Sequence, residues 1–271
     1  MADPILLIGA GRMGGALLKG WIAKGLTPII AVEPRPSPNL LKIARKAKVT
    51  IVPSIGDVKA KRVRACVIAL KPQILQTEAA SLKAIAQSGA LIVSIAAGTT
   101  IAFLKKACGG KARVIRAMPN TPGSIGCGIT GIFAAAGTTP KDRALAESLL
   151  AALGQTVWVK REAQIDSVTA VSGSGPAYVF LMVEALAEAG VAEGLPRTVA
   201  EQLARATITG AGALLAAEPT EPAVLRQNVT SPGGTTAAAL QVLMAEDGLP
   251  ALMRKAVAAA NRRAEELGRL S

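Results

Sequence analysis

The segment that most constrains the fold is the N-terminal stretch ILLIGAGRMGGALLKGWIAKG. An apolar run at 5–8 leads directly into Gly9-x-Gly11-x-x-Gly14, and apolar residues then recur at helical spacing. Strand, glycine-rich turn and helix in this order are typical of the first βα unit of a dinucleotide-binding domain. Gly9 permits a tight turn, Gly11 lets a pyrophosphate approach the backbone, and Gly14 lets the helix pack on the strand. The segment therefore predicts a parallel α/β sheet that binds a dinucleotide.

Further strand-like runs follow this unit, and each ends in small or special residues. They are RACVIALKPQ, GALIVSIAAGTT and ARVIRAMPNTP, and TVWVKREAQ at 156–164 reads as the last strand of the sheet. In a doubly wound sheet, ligands lie beyond the carboxyl ends of the strands. We therefore predict a Rossmann-type doubly wound parallel sheet over residues 1–162, with the cofactor across those strand ends.

The second strand ends in EPRPSP, where two signals conflict over the cofactor. Glu33 stands where an acid that binds the ribose of NAD is expected. Arg35 is suited instead to the 2′-phosphate of NADP. Because basic residues are frequent nearby, the sequence favours NADPH, with NADH as the alternative.

From residue 163 onward, β-branched runs give way to helices rich in Ala, Leu and Glu. We predict helices at 177–189, 197–217, 237–245 and 249–267, which form an all-α second domain over 163–271. These helices are apolar around much of their circumference, as in ATITGAGALLAA. A small helical domain cannot bury that much apolar surface alone, so the pattern predicts an obligate homodimer formed through this half.

The segment VTSPGGTTAAAL, residues 229–240, places a bare loop at the start of a helix. One interpretation is an ordinary helix entry with Thr235 or Thr236 as the N-cap. The other is a ligand site, because free N–H groups and the positive end of the helix dipole suit a carboxylate or phosphate. The residues alone leave both interpretations open.

Composition excludes several classes of protein. Histidine is absent, which excludes histidine-based triads, most zinc hydrolase sites and dehydrogenases with a histidine acid. Three widely spaced cysteines indicate a reduced cytoplasmic protein with neither a disulfide framework nor a metal site. The net charge is +13, but the basic stretches lack aromatic residues for stacking, so nucleic acid is not expected as a partner. Neither a signal peptide nor a membrane-spanning segment is expected.

With these motifs in view, the chain resembles the pyrroline-5-carboxylate reductase family over essentially its whole length. The resemblance is carried, in order, by IGAGRMGGALLKG, ALKP, SIAAGTT, IRAMPNTP, VSGSGPAYVFLMVEALAEAGV and NVTSPGGTTAAAL. It implies a Rossmann domain followed by a helical domain that interlocks two subunits, in some members further assembled into rings of dimers. It also implies that NAD(P)H reduces L-1-pyrroline-5-carboxylate to L-proline, the last step of proline biosynthesis.

The resemblance also implies roles for particular residues. The cofactor set is Gly9, Ala10, Gly11, Arg12, Met13, Gly14, Arg35, Ala69, Leu70, Lys71, Pro72, Ala96, Ala97, Gly98 and Asn120. Within it, Ala96, Ala97 and Gly98 are expected on the nicotinamide side. The substrate set is Ser174, Gly175, Tyr178, Val229, Ser231, Gly233, Gly234, Thr235 and Thr236. Thr236 is the candidate catalytic donor to the ring nitrogen, with Tyr178 as a competing donor whose helical position also suits packing. The loop that contains Thr236 is expected to come from the partner subunit.

Two other classes of protein remain as alternatives at this point. A 3-hydroxyacid dehydrogenase or imine reductase would have a similar layout. The hydroxyacid dehydrogenases place a lysine acid on the helix after their glycine-rich substrate motif, and AYVFLMVEAL has none. A non-catalytic nucleotide-sensing protein is disfavoured by the intact glycines and the intact substrate loop.

Overall fold

The computed structural model describes residues 3–58, 62–70, 72–75 and 77–269, with only the backbone at 72 and 73. The chain forms two compact units. The first consists of Met1–Gly173 together with Ala260–Ser271, and the second of Ser174–Ala259.

The first unit is built on one sheet of eight strands. The strands are β1 (Ile5–Ile8), β2 (Ile29–Val32), β3 (Thr50–Val52), β4 (Ala65–Ile68), β5 (Leu91–Ser94), β6 (Val114–Met118), β7 (Gly128–Ala134) and β8 (Gly154–Trp158). Their order across the sheet is β3-β2-β1-β4-β5-β6-β7-β8. The first six run parallel in the Rossmann order 3-2-1-4-5-6, whereas β7 is antiparallel to β6 and pairs in parallel with β8. The predicted fold class is confirmed.

Helices of this unit connect the strands. They are α1 (Arg12–Ala23), α2 (Pro38–Ala47), α3 (Pro72–Leu75), α4 (Ala79–Gln87), α5 (Ile101–Cys108), α6 (Pro140–Leu150) and α7 (Gln164–Val168). Short 3-10 turns at Ile55–Asp57, Thr121–Ile125 and Ala151–Leu153 complete the connections, and a π-helical turn, Thr169–Gly173, continues α7.

The central strands are buried on both faces, as expected for a parallel sheet covered by helices. Ile5 and Leu7 of β1 belong to an apolar cluster with Trp21 of α1, whereas Leu6 and Ile8 belong to a separate cluster. Alternate residues of one strand thus enter different clusters, because successive side chains point to opposite faces. The near-continuous apolar runs in the sequence follow from this double burial.

The second unit is helical. Its helices are α8 (Gly175–Ala192), α9 (Arg197–Ala217), α10 (Pro222–Asn228), α11 (Thr235–Leu243) and the first part of α12 (Leu249–Arg269), which continues into the first unit from Ala260. Many large apolar side chains of this unit are exposed: Val179, Phe180, Leu181, Met182, Leu186, Leu195, Val199, Leu203, Leu214, Leu215, Val224, Val229, Val242, Leu243, Met244, Leu249 and Leu252. A chain in this form leaves an extended apolar surface uncovered, which indicates a partner surface.

Within the described residues, one helical stretch, Gln164–Ala192, is long and apolar enough by length and composition to cross a membrane. Only 11% of its most apolar window is buried inside the chain. The exposed apolar residues of its α8 part, Val179, Phe180, Leu181, Met182 and Leu186, belong to the exposed apolar set of the second unit, whereas Ile165 and Ala170 are buried.

Several elements of the structure are absent from the sequence predictions. Strands β3 and β7 and helix α10 were not predicted. β3 has only three residues, and β7 contains glycine at Gly128 and Gly131, which weakens any strand pattern. The two compact units divide after Gly173, because α7 packs with β6 and β7 of the first unit, and the domain boundary after residue 162 stays a prediction.

Candidate active site

The glycine-rich loop between β1 and α1 contains three glycines with different steric surroundings. Gly9 has φ +89°, and a Cβ there would lie 2.9 Å from the carbonyl oxygen of Ala69. At Gly14 a Cβ would lie 2.0 Å from the carbonyl oxygen of Gly9, so only glycine lets α1 pack this closely on the loop. No atom lies within 4 Å of the corresponding position at Gly11. The open space at Gly11 leaves the backbone accessible to a ligand.

Glu33, directly after β2, is bonded to the same loop. Its Oε2 accepts a hydrogen bond from the backbone N–H of Ala10 at 2.9 Å, and its Oε1 accepts one from the N–H of Arg35 at 3.3 Å. Both carboxylate oxygens therefore accept hydrogen bonds from the backbone. Glu33 joins the end of β2 to the glycine-rich loop.

A cavity of about 570 Å³ opens beside this loop, between α1 and α2. Three cationic residues, Arg12, Lys19 and Arg35, line it together with one acidic residue, Glu33. Further polar lining comes from Ser37, Asn39, Thr121 and Ser124. Sequence reasoning missed these four residues and Lys19, although Thr121 and Ser124 lie in the same MPNTPGS motif as Asn120. A cationic cavity at the start of α1 suits the phosphates of a dinucleotide.

The ends of β4 and β5 carry other residues of the expected cofactor set. Ala69 and Leu70 lie against Gly9, with the Leu70 Cδ2 atom 3.0 Å from the position of a Cβ on that glycine. Ala96 is buried, Ala97 is exposed, and Gly98 has φ +71°. Pro72 is the first residue of α3, and Lys71 lies outside the described residues.

Asn120, at the end of β6, has a structural hydrogen bond. Its Oδ1 accepts a hydrogen bond from the backbone N–H of Ile129 at 3.0 Å. The side chain therefore ties the loop after β6 to the next strand, and its amide nitrogen remains available as a donor toward a ligand.

A cluster of charged side chains lies next to the start of α5, the helix that follows β5 and its loop. Arg116 of β6 is 3% exposed and donates to Glu162 Oε1 at 3.2 Å and to Asp166 Oδ1 at 2.8 Å. Sequence reasoning missed this cluster. The available signal was an arginine inside the apolar strand VIRAM, since a charged residue is almost never buried unless it is paired.

In the second unit, α11 begins without a side-chain cap. Its N-cap is Gly234, and no side chain accepts a hydrogen bond from the first turn. The interpretation in which Thr235 or Thr236 is the N-cap is therefore wrong, since both residues already lie inside the helix. The N–H groups of the first turn lack intrahelical partners. This uncapped helix N-terminus can bind an anion.

The remaining residues of the expected substrate set lie in this second unit. Gly233 has φ +69° and, like Gly175, has open space where a Cβ would stand. Val229 and Ser231 are exposed, and Ser174 is the N-cap of α8. Tyr178 is half-buried in the first turn of α8.

Two of the three thiols, those of Cys66 and Cys108, are buried, and the third, that of Cys127, is exposed. Burial raises the pKa of the Cys66 thiol far above its ordinary value and that of Cys108 to about 11, so both stay neutral at physiological pH. Within the described part of the chain, no group of three or more Cys, Asp or Glu side chains is placed to hold a metal ion.

The Rossmann strand order, the glycine-rich turn and the cationic cavity define a dinucleotide-binding protein with the layout of an oxidoreductase. Comparisons with known proteins identify the two halves. Residues 4–98 match the family of coenzyme F420-dependent NADP oxidoreductases, and residues 162–267 match the pyrroline-5-carboxylate reductase dimerisation family.

Similarity also extends over the whole chain. Pyrroline-5-carboxylate reductase of Pseudomonas aeruginosa is 40% identical over 98% of each chain, and that of Synechocystis is 39% identical over 99% of this chain and all of the other. The solved pyrroline-5-carboxylate reductase of Coxiella burnetii is 38% identical, with a TM-score of 0.88 over 98% of this chain and 99% of that one. The chain belongs to the pyrroline-5-carboxylate reductase family.

Proposed function

We propose that this protein reduces the cyclic imine L-1-pyrroline-5-carboxylate to L-proline with NADPH, the last step of proline biosynthesis. The observation that carries the proposal is the whole-chain similarity to pyrroline-5-carboxylate reductases, at 40% identity over 98% of both chains. The cationic cavity of the first unit and the uncapped start of α11 supply the two binding functions that this reaction needs.

The first unit binds the dinucleotide. Gly11 leaves room for the pyrophosphate, and Arg12 and Lys19 face the same cavity with positive charge. Arg35 receives the 2′-phosphate, since both oxygens of Glu33 are already bonded to backbone N–H groups. A pyrroline carboxylate reductase of Plasmodium falciparum, 27% identical, was solved with NADP bound. These features favour NADPH, and NADH is the alternative cofactor.

The start of α11 binds the substrate. The backbone N–H groups of Thr235 and Thr236 hold its carboxylate by charge-assisted hydrogen bonds, while the N–H of Gly234 donates to the carbonyl oxygen of Ser231 at 3.0 Å. These hydrogen bonds orient the imine carbon for reduction, which is catalysis by positioning. The hydride itself is supplied by the reduced nicotinamide of the cofactor when it is bound.

Reduction of the C=N bond also requires a proton on the ring nitrogen. An imine is basic enough to be partly protonated near neutral pH, so a chain without histidine can support the reaction. Thr236 is the proposed hydrogen-bond donor to that nitrogen, directly or through water. It is a hydroxyl within the first turn of the anion-binding helix.

The exposed apolar surface of the second unit is the dimer interface. Residues 162–267 match a dimerisation family, and the exposed apolar side chains lie within that range. A second copy, rather than a membrane, covers this surface in the proposal. The loop before α11 then acts in the partner's active site. Sedimentation at micromolar concentration is expected to show a dimer or a ring of dimers, and a monomer would refute the proposal. We assign the enzyme to the cytoplasm.

The test of the function is NADPH oxidation by the purified protein. Turnover is expected with pyrroline-5-carboxylate, and none with 3-hydroxyacids and NADP in the reverse direction. Turnover of hydroxyacids alone would place the chain among the dehydrogenases. A protein that binds NADPH but turns over neither substrate would be a nucleotide-binding module.

A further inference from the structure

A buried arginine of β6, Arg116, fixes the position of the Glu162 carboxylate. The Arg116 side chain is 4% exposed and is paired with Glu162 at 3.2 Å and Asp166 at 2.8 Å. Moving a guanidinium out of water is costly unless charged partners compensate. Two carboxylates contact Arg116, so Asp166 continues to pair with it when Glu162 is changed.

Glu162 has a second contact that Asp166 lacks. The same oxygen that faces Arg116, Oε1, accepts a hydrogen bond from the backbone N–H of Ile101 at 2.7 Å. Ile101 is the first residue of α5, where the N–H has no partner within the helix. A carboxylate at this end also interacts favourably with the helix dipole. Glu162 therefore links Arg116 to the residues directly before α5.

Those residues form the loop 96–100 after β5, which is held at several points. Ser94 Oγ accepts a hydrogen bond from the N–H of Ala96 at 3.3 Å, and Thr100 caps α5. Gly98 lies under the last turn of α12, where a Cβ on Gly98 would lie 3.2 Å from the Cβ of Leu267. Glu162 bonds the end of this loop that joins the helix.

We infer that Glu162 is a positioning residue, which holds the loop 96–100 against the nicotinamide end of the cofactor through the N–H of Ile101. The inference rests on the proposed function and on the family resemblance, which implies that Ala96, Ala97 and Gly98 lie on the nicotinamide side. Arg116 keeps the Glu162 carboxylate in place through Nη1, whereas Asp166 pairs with Nη2 of the same guanidinium. Of these three side chains, as far as the described residues show, Glu162 alone accepts a hydrogen bond from Ile101 at the end of the loop.

Loss of this link moves the loop without removing any group that touches the cofactor. A misplacement of about 1 Å can lower a rate by about 100-fold, so Glu162→Ala is expected to lower kcat about 10- to 100-fold. Glu162→Gln keeps an oxygen that can accept from Ile101 and is expected to restore most of kcat. Asp166→Asn is the matched control, because it removes a charge from Arg116 and leaves the loop contact intact.

Binding measurements separate positioning from general destabilisation. The two probes are NADPH and 2′-phospho-ADP-ribose, which lacks the nicotinamide. Calorimetry on Glu162→Ala is expected to show weaker binding of NADPH and unchanged binding of 2′-phospho-ADP-ribose. The fluorescence of bound NADPH should also shift toward that of the free cofactor. Asp166→Asn should lower Tm while leaving kcat and both affinities at the wild-type level.

A second pair of variants tests the link from the loop side. Ile101→Pro removes the N–H, and proline is favoured at the first position of a helix. The preceding residue, Thr100, has φ −82° and ψ 157°, which is compatible with a following proline. Ile101→Ala loses the same side chain but keeps the N–H. The proline variant is expected to have the lower kcat of the two.

The inference is overturned if Glu162→Ala keeps wild-type kcat. It is also overturned if Glu162→Ala and Asp166→Asn lose kcat and both affinities to the same extent, or if Ile101→Pro and Ile101→Ala are equal. Failure of the proposed function would give a different result, in which the wild-type protein itself does not turn over pyrroline-5-carboxylate. The binding comparison of NADPH with 2′-phospho-ADP-ribose tests the loop in either case.

Discussion

Glu33 and Ala10 are joined by a hydrogen bond of 2.9 Å from the backbone N–H of Ala10 to the Glu33 carboxylate, across the gap between β2 and the glycine-rich loop. An acid at this position of a Rossmann fold usually accepts from the ribose hydroxyls of NAD. Here both oxygens of the carboxylate are bonded to backbone N–H groups. Recognition of the adenosine ribose is therefore expected to depend on Arg35.

This arrangement predicts the effect of Arg35 on cofactor preference. A hydrogen bond to a charged group contributes about 1.5–3 kcal/mol, so Arg35→Ala should lower kcat/KM for NADPH by about 10- to 150-fold. The value for NADH should change little, because NADH lacks the 2′-phosphate. Steady-state rates with both cofactors check the prediction. An equal loss of kcat/KM with NADPH and NADH would show that Arg35 does not bind the 2′-phosphate.

The glycine-rich loop predicts opposite outcomes for two alanine substitutions. Gly11→Ala meets no atom within 4 Å, so the fold and Tm should be retained while NADPH binding weakens by about 10-fold or more. Gly14→Ala would place a Cβ 2.0 Å from the Gly9 carbonyl oxygen, so the fold itself should be destabilised. Thermal unfolding and calorimetric titration separate the two outcomes. Normal stability for Gly14→Ala would contradict the packing argument.

Thr236 is predicted to act in turnover more than in folding. Thr236→Ala should lower kcat by about 10- to 1000-fold, the range for one positioned donor or proton carrier. Thr236→Ser keeps the hydroxyl and is the matched control, with most of the activity retained. Unchanged kcat in Thr236→Ala would remove this residue from the proposed role.

Trp21 is predicted to be a main contributor to the stability of the first unit. Its side chain is fully buried, and its Nε1 donates a hydrogen bond to the carbonyl oxygen of Leu149 at 2.8 Å. Trp21→Ala should lower the free energy of unfolding by about 3–5 kcal/mol through lost contacts and a cavity. Denaturation followed by circular dichroism at fixed protein concentration measures this loss. A change comparable to that of an exposed substitution such as Lys42→Ala would contradict the packing described here.

The burial of the cysteines predicts which thiols can be labelled in the native protein, and how the stability of the fold depends on pH. Cys127 is exposed, whereas Cys66 and Cys108 are buried, so a thiol reagent should label only Cys127 in the native protein and all three cysteines in denaturant.

Burial raises the pKa of Cys108 from 9.0 to about 11. Because this folded-state value is raised, stability is retained below pH 9.0 and falls as the pH rises toward 11. A Cys108→Ala variant should show a smaller fall over that interval.

Much of the fold could be predicted from the sequence because its signals are local. The strand–glycine–helix start, the apolar runs of β4, β5 and β6, and the long alanine-rich helices each lie within one continuous segment. α9 occupies Arg197–Ala217, the predicted range. By contrast, β7 forms by pairing with the preceding strand, β6, in the antiparallel direction, and its own glycine-containing sequence carries little strand signal.

The candidate site was less accessible to prediction for the same physical reason. The roles of the three glycines in the first loop could be assigned from their spacing, because each position requires a residue without a Cβ. The bond from Ala10 to Glu33 joins residues that are far apart in sequence, and so does the contact between Arg116 and Glu162. Only the buried arginine in VIRAM pointed to such a partner, and nothing in the sequence identified which carboxylates would meet it.

The most direct test of the account is a crystal structure of the dimer with NADP and L-proline bound. We predict that the carboxylate of proline accepts hydrogen bonds from the backbone N–H groups of the first turn of α11, at about 2.7–3.2 Å. The ring of proline should then face the nicotinamide held by the partner subunit. A proline carboxylate bound away from α11, with that helix start remote from the nicotinamide, would contradict the account.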